Sequence, residues 1–168
     1  MLSTFARLSR LNQPIGIWLL LIPCLWSITL ASKVFPDPKI LIFFILGAII
    51  MRASGCIIND IIDKDIDKKV TRTSDRPLAT DEVTVFQALM FLFFLLALGF
   101  LILVQFNNFT IIVGVFSLGL VLIYPFAKRV SYWPQAVLGL TFNWGALLGW
   151  ASIRGELELT PIILYLAG

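Results

Sequence analysis

The sequence predicts an all-α fold, a polytopic transmembrane helix bundle with five spans and the start of a sixth. Of the 168 residues, 59% are hydrophobic and 14% are charged, so the chain is more apolar than a soluble domain of this size. Charge is absent from segments 40–51, 83–127 and 130–153, whose apolar residues do not alternate with polar ones. Such continuous apolar runs favour helices over a β-barrel, and we expect a single membrane domain, 1–168.

Each expected span follows a break in the apolar pattern. A helix that crosses the hydrocarbon core needs about 20 apolar residues. The first span, 15–32, follows Pro14 and is longer than the apolar core of a signal peptide, so we expect it to remain in the protein. Segments rich in proline, asparagine or charge separate the later spans. The later spans are expected at 40–62, 84–105, 110–125 and 134–153, and the sixth begins at Pro161.

The charged residues are concentrated in an Asp-rich loop, 60–82, which holds about half of them. Lys and Arg accumulate on the cytoplasmic side of membrane proteins. Nine of the 13 basic residues lie on the side of the N-terminus and of this loop, three lie on the other side, and Arg52 falls within the second span. We therefore expect the N-terminus and the 60–82 loop to be cytoplasmic, in a bacterial inner membrane. The positive residues alternate with acids, which does not favour nucleic acid as a partner.

The composition also limits the chemistry. The chain has no histidine, which excludes histidine triads and histidine metal sites. Its two cysteines are too few for a disulfide scaffold or a four-cysteine zinc site. Catalytic or binding groups must therefore come from Asp, Glu, Lys, Arg, Tyr and Asn.

The end of the second span carries a polar face. At about 100° per residue, Asn59, Asp63 and Asp67 fall within an arc of roughly 80°, and Arg52 lies on the same side. Three oxygen-bearing side chains at this spacing suit Mg²⁺, which is commonly held by carboxylates together with substrate phosphates. A solvated acidic loop would give a similar pattern. Arg52 favours a site, because an intramembrane arginine is costly and normally faces a cavity or a partner.

Further basic residues are expected on the same side of the membrane. Arg72 follows the acidic segment, and Lys128 follows Tyr124 by four residues near the end of the fourth span. Lys and Arg are natural contacts for a diphosphate. Basic residues that flank a membrane span, with a tyrosine at the interface, explain the same pattern without any ligand. The residues alone leave both interpretations open.

Five short motifs, taken in order, resemble the UbiA superfamily of intramembrane aromatic prenyltransferases. They span nearly the whole chain, and the Asp-rich one is the most specific. The motifs are RLNQPIG at 10–16, the Asp-rich segment 55–67, Arg72-Thr73, Arg76-Pro77-Leu78, and Tyr124 with Lys128.

The resemblance implies a Mg²⁺-dependent enzyme. Its reaction would transfer a polyprenyl group from polyprenyl diphosphate to the ring carbon ortho to the hydroxyl of 4-hydroxybenzoate, in ubiquinone synthesis. Asn59, Asp63 and Asp67 would hold the metal. Asp63 and Asp67, together with Lys128, would be the catalytic residues.

The resemblance also implies how both substrates are bound. Arg72, Tyr124 and Lys128 would contact the diphosphate, and Arg52 would bind the carboxylate of the aromatic acid. The isoprenoid tail would lie against apolar helices or in the lipid bilayer.

The sequence differs from the superfamily in one respect, since it reaches Gly168 without the second Asp-rich motif that the resemblance implies. We therefore expect the N-terminal part of a longer enzyme or a truncated gene product, without full activity on its own. Three alternatives remain: a related prenyltransferase with another acceptor, such as a naphthoate, homogentisate or haem; an inactive remnant; and a cation-coupled transporter, because intramembrane Asp and Arg also mark ion paths.

Overall fold

The computed structural model describes residues 2–130 and 132–168, and the side chains of all of these except residues 2 and 128–130. Within these residues the chain forms seven helices and no strand, as the apolar pattern predicts. The helices are α1 (Leu2–Leu8), α2 (Ile15–Ala31), α3 (Pro38–Asp67), α4 (Val85–Leu103), α5 (Asn108–Val130), α6 (Pro134–Arg154) and α7 (Leu159–Ala167).

The helix bundle is that of an integral membrane protein. In the described part of the chain, four helices (α3 to α6) are long and apolar enough to cross a membrane, and α2 is a shorter apolar helix of 17 residues. Local sequence fixes where these helices begin. Asp37 accepts a hydrogen bond from the backbone N–H of Lys39 at the start of α3, and Thr84 and Gln87 form a capping box at the start of α4.

Helices α2 and α6 pack closely because α6 presents glycines to α2. A methyl group on Gly149 would lie 2.7 Å from the backbone oxygen of Cys24, and one on Gly145 would overlap the Cys24 sulfur. The hydroxyl of Ser27, on α2, donates a hydrogen bond to the backbone oxygen of Ala146. Small residues are the usual means by which membrane helices approach each other, since lipid supplies no hydrophobic drive between them.

The polar end of α3 differs from the expected loop. The helix continues through Asp67, so residues 60–67 of the expected 60–82 loop are its last two turns. The helical placement of Asn59, Asp63 and Asp67 had already extended this helix beyond the membrane span expected at 40–62. An apolar cluster covers the helix there and contains Leu8 of α1, Ile57 of α3 and Leu78 of the connecting loop. Helix α1, which the sequence did not predict, thus packs against the same end of the bundle as the loop.

Candidate functional site

The candidate site lies at the polar end of α3, where three acids are held on the last two turns of the helix. Asp60, Asp63 and Asp67 expose only 2%, 7% and 6% of their surface. Carboxylates are rarely this buried unless they are paired or bind a cation. Their burial argues against the solvated acidic loop that the sequence left open.

Two arginines from different segments pair with these acids. Arg10, in the turn between α1 and α2, donates from Nη2 to Asp60 Oδ1 at 2.5 Å. Arg76, in the loop after α3, donates from Nη1 both to Asp60 Oδ1 at 3.1 Å and to Asp67 Oδ2 at 2.6 Å. The N-terminal segment and the loop therefore meet at α3 through charge-assisted hydrogen bonds.

Asp60 is a residue that the sequence analysis missed. The polar face was predicted from Asn59, Asp63 and Asp67, which are four residues apart at each step. Asp60 and Asp67 are seven residues apart, which places them within about 20° of each other on a helix. The same calculation applied to every acid of 55–67 would have placed Asp60 beside Asp67.

The loop after α3 is fastened by further ion pairs. Arg7 of α1 contacts Glu82 at 3.1 Å and the backbone oxygen of Asp75 at 2.7 Å. Asp81 pairs with Lys64 at 2.8 Å and with Lys68 at 2.7 Å. Hydrogen bonds from these two lysines lower the pKa of Asp81 from 3.8 to about 2. The middle and the second end of the loop are thus tied to α1 and to the polar end of α3.

Arg52 occupies a site between three helices. A methyl group on Gly16 of α2 would lie 2.5 Å from the Arg52 Cζ atom, so only glycine leaves room for the guanidinium in this position. The guanidinium lies 5.9 Å from the centre of the Phe142 ring on α6. Its buried Nε has no hydrogen-bond acceptor among the described residues. The intramembrane arginine therefore keeps a donor available for an acceptor that the described residues do not provide.

The other expected substrate contacts are placed differently. Tyr124 is half-buried on α5, which stays helical past Pro125, so Tyr124 and Lys128 are one turn apart on the same helix. The side chain of Lys128 lies outside the described part of the chain. Arg72 is exposed and makes no ion pair with the described residues. The structure therefore brings Arg76 to the acids of α3 and leaves Arg72 away from them.

The donor set for a metal is small. Among the described residues, no group of three or more Asp, Glu, Cys or His side chains is arranged to hold a metal ion. The expected set of Asn59, Asp63 and Asp67 has only two carboxylates and an amide oxygen. These hard oxygen donors fit Mg²⁺, and the Arg76 guanidinium on Asp67 shows that a positive group is accommodated there.

Two cavities in the described part of the chain lie apart from the acids. A groove of about 420 Å³ between α3 and α4 is lined by Phe43, Leu46, Ile50, Leu98, Leu101, Ile102 and Gln105. A second cavity of about 250 Å³ lies near the start of α3 and includes Asp37 and Asn107. Neither contains any of the expected site residues.

Comparison with known proteins gives a consistent result. Residues 20–168 match the UbiA prenyltransferase family. Similar curated proteins are the 4-hydroxybenzoate polyprenyltransferases of Drosophila pseudoobscura, Homo sapiens and Arabidopsis thaliana, which are 52%, 51% and 49% identical over 98%, 99% and 98% of this chain. The aligned regions cover 42%, 46% and 41% of those proteins, so the chain spans less than half their length. All three names include "mitochondrial", which disagrees with the expected bacterial inner membrane.

Solved structures show the same fold. A UbiA homologue from Aeropyrum pernix superposes with a TM-score of 0.74 at 23% identity, over 90% of this chain and 57% of the homologue. One from Archaeoglobus fulgidus, solved with DMAPP and Mg²⁺, superposes with a TM-score of 0.74 at 19% identity, over 96% of this chain and 59% of the homologue. The helix arrangement described above is therefore shared with membrane proteins from distant organisms.

Proposed function

The chain belongs to the UbiA prenyltransferase family, and from this premise we propose that it serves to transfer a polyprenyl group from polyprenyl diphosphate to 4-hydroxybenzoate in ubiquinone synthesis. The new bond would form at the ring carbon ortho to the hydroxyl. The observation that carries the proposal is the burial of Asp63 and Asp67 on one face at the polar end of a membrane helix. The names of relatives about half identical to this chain support the choice of substrates.

In this proposal Asn59, Asp63 and Asp67 hold Mg²⁺. When bound, Mg²⁺ supplies positive charge that neutralises the diphosphate. The two carboxylates lie on one face of the helix before any ligand arrives, which places their charge where the metal would bind. A metal requirement is supported by the Archaeoglobus fulgidus homologue, whose structure was solved with DMAPP and Mg²⁺ bound together.

The diphosphate itself would be contacted by cationic and hydroxyl groups of the chain. Lys128 and Tyr124, one turn apart on α5, are two of these groups. Arg72 is the loop contact that the resemblance implies, and Arg76, which already lies beside Asp67, is a further one. As the carbon–oxygen bond of the prenyl diphosphate breaks, these groups stabilise the departing diphosphate and an allylic cation remains.

Arg52 would orient the aromatic acid. Its unpaired Nε donor and its enclosed position between Gly16 and Phe142 favour a planar anion such as a carboxylate. Arene attack on the allylic cation, followed by loss of the ring proton, would complete the transfer. The apolar surface of the bundle and the surrounding lipid would accommodate the isoprenoid tail.

The proposal also covers orientation. The N-terminus and the loop after α3 would lie on the same side of the membrane. Arg7 contacts the loop at Asp75, and Arg10 contacts Asp60 at the polar end of α3. Because basic residues are concentrated on that side, it would be the inner side of the membrane. The names of the relatives favour a mitochondrial membrane, and fractionation of cells that express a tagged protein would test this location.

The test is prenyl transfer by the protein expressed from its full reading frame and reconstituted in phospholipid vesicles. Radiolabelled polyprenyl diphosphate is supplied with 4-hydroxybenzoate, homogentisate, a naphthoate or haem, with and without Mg²⁺. We expect prenylated 4-hydroxybenzoate and diphosphate release in the presence of Mg²⁺ only. Product with another acceptor alone would change the substrate, and cation flux without diphosphate release would favour a transporter.

A further inference from the structure

We propose that Asp60 is a positioning residue that retains Arg76 beside the metal-binding acids and keeps it from pairing with Asp67 alone. This inference rests on the proposed function, because it concerns the availability of Asp67 for a cation. Asp60 is not one of the proposed metal ligands. It is nevertheless the most buried of the acids at this end of α3, with 2% of its surface exposed.

The geometry shows one guanidinium nitrogen that donates to two carboxylates. Arg76 Nη1 lies 3.1 Å from Asp60 Oδ1 and 2.6 Å from Asp67 Oδ2. Asp60 Oδ1 also accepts a hydrogen bond from Arg10 at 2.5 Å. Asp60 is therefore the carboxylate that both arginines share, and Asp67 is the one that Arg76 can release without losing all its partners.

Loss of Asp60 would change this balance. A partly buried guanidinium without a partner is unfavourable, so Arg76 would pair with Asp67 alone. That stronger pairing would compete directly with a cation at Asp67. Asp60 thus has a role that differs from simple attachment of the loop.

The loop itself has other attachments. Leu78 and Val83 are buried in the same apolar cluster as Ile57 of α3. Arg7 contacts Glu82 and the backbone of Asp75. Because these contacts also bring the loop to the helix, we assign to the Asp60 ion pairs the further role of directing the arginines.

The experiment measures binding of Mn²⁺ alone, by electron paramagnetic resonance of free Mn²⁺, to the protein expressed from its full reading frame and placed in phospholipid nanodiscs. Asp60→Asn is compared with Asp65→Asn, which removes the same charge from the same helix. Asp65 is exposed and makes no ion pair with the described residues, so it is a matched control. We expect the Mn²⁺ dissociation constant to rise about tenfold for Asp60→Asn, which corresponds to about 1.4 kcal/mol, and much less for Asp65→Asn.

A double-mutant cycle with Arg76→Met isolates the mechanism. If Asp60 acts by holding Arg76, then Arg76→Met restores most of the affinity that Asp60→Asn loses, and it changes the affinity of the unaltered chain far less. The two substitutions should therefore be non-additive by about fivefold or more, as expected for residues of one network. A purely structural defect at Asp60 would not be repaired by removal of a second side chain.

Each result supports or overturns the role of Asp60. Equal dissociation constants for Asp60→Asn and Asp65→Asn, or an equal effect of Arg76→Met in both backgrounds, would overturn that role and leave the metal site intact. Absence of Mn²⁺ binding by the unaltered chain would overturn the proposed metal site and this inference with it. If Asp60→Asn is not recovered folded, the cycle is run in an Arg10→Met background, which removes one of the two stranded guanidiniums.

Discussion

The α2–α6 interface and the polar end of α3 are built by opposite means. At the first, Gly145 and Gly149 bring two backbones together. At the second, arginines from two segments pair with buried acids of one helix. From this difference we infer a division of roles, in which close packing gives the bundle its stability and the ion pairs would prepare the proposed binding site. Substitutions at the two regions should therefore affect different measurements.

The largest effect is expected from Asp63→Asn at the polar end of α3. Loss of one preorganised charged group should lower Mg²⁺-dependent prenyl transfer by roughly 10²–10³-fold, the scale of losing one transition-state contact. Thermal unfolding in detergent should change little, because α3 is held by the apolar cluster. Asp65→Asn is the control, and unchanged turnover in Asp63→Asn would remove Asp63 from the site.

Gly149→Ala should produce the opposite pattern. Its methyl group would lie 2.7 Å from a backbone oxygen of α2, and overpacking of this kind costs about 1–3 kcal/mol in the free energy of unfolding. Gly139→Ala is the matched control on α6, because nothing lies within 4 Å of its added methyl group. Denaturation in mixed micelles, followed by circular dichroism, gives both values. Equal stability of the two variants would contradict the close approach at Gly149.

Gly16→Ala tests the connection between the two regions, because Gly16 is on α2 and faces Arg52 of α3. The added methyl group would displace the guanidinium, so the KM for 4-hydroxybenzoate should rise roughly fivefold, or about 1 kcal/mol. The KM for polyprenyl diphosphate should stay the same. Gly47→Ala, with no atom within 4 Å of its methyl group, is the control. A rise in both KM values would argue against a specific role of Arg52 in acceptor binding.

The smallest effect is expected at Asp81, where the ion pairs are exposed and screened by salt. Its pKa is about 2 in the folded protein and 3.8 without these contacts, so the folded state favours the charged form. The stabilisation is present above about pH 4 and is lost as the pH falls toward about 2. Unfolding of Asp81→Asn should therefore differ from the unaltered protein at about pH 5 and converge with it near pH 2. A difference that persists at the lower pH would contradict this assignment.

Much of the fold was predictable because apolar run length determines membrane helices. The expected span 134–153 and the observed α6, Pro134–Arg154, agree within one residue. Helix α1 was not predicted, since seven residues carry too little periodicity to be distinguished from a coil. The polar end of α3 was assigned both to a helical face and to the 60–82 loop, and the structure shows that residues 60–67 continue the helix.

The site was predictable only where one helix defines it. Helical spacing placed Asp63 and Asp67 on one face, and the structure buries both. Arg10 and Arg76 reach that face from other segments, and no local spacing rule connects residues 50 and 16 positions away from Asp60. The pairing of Arg76 with these acids depends on how the loop turns back, which is a property of tertiary packing.

The length of α2 has a consequence for the lipid. Its 17 residues rise about 25 Å, whereas the hydrocarbon layer is about 30 Å thick. Hydrophobic mismatch of this size is relieved by local thinning of the bilayer, at a fraction of a kcal/mol per ångström. Short acyl chains should therefore gather beside α2 and give that side of the protein a lipid environment different from the one around the 30-residue α3.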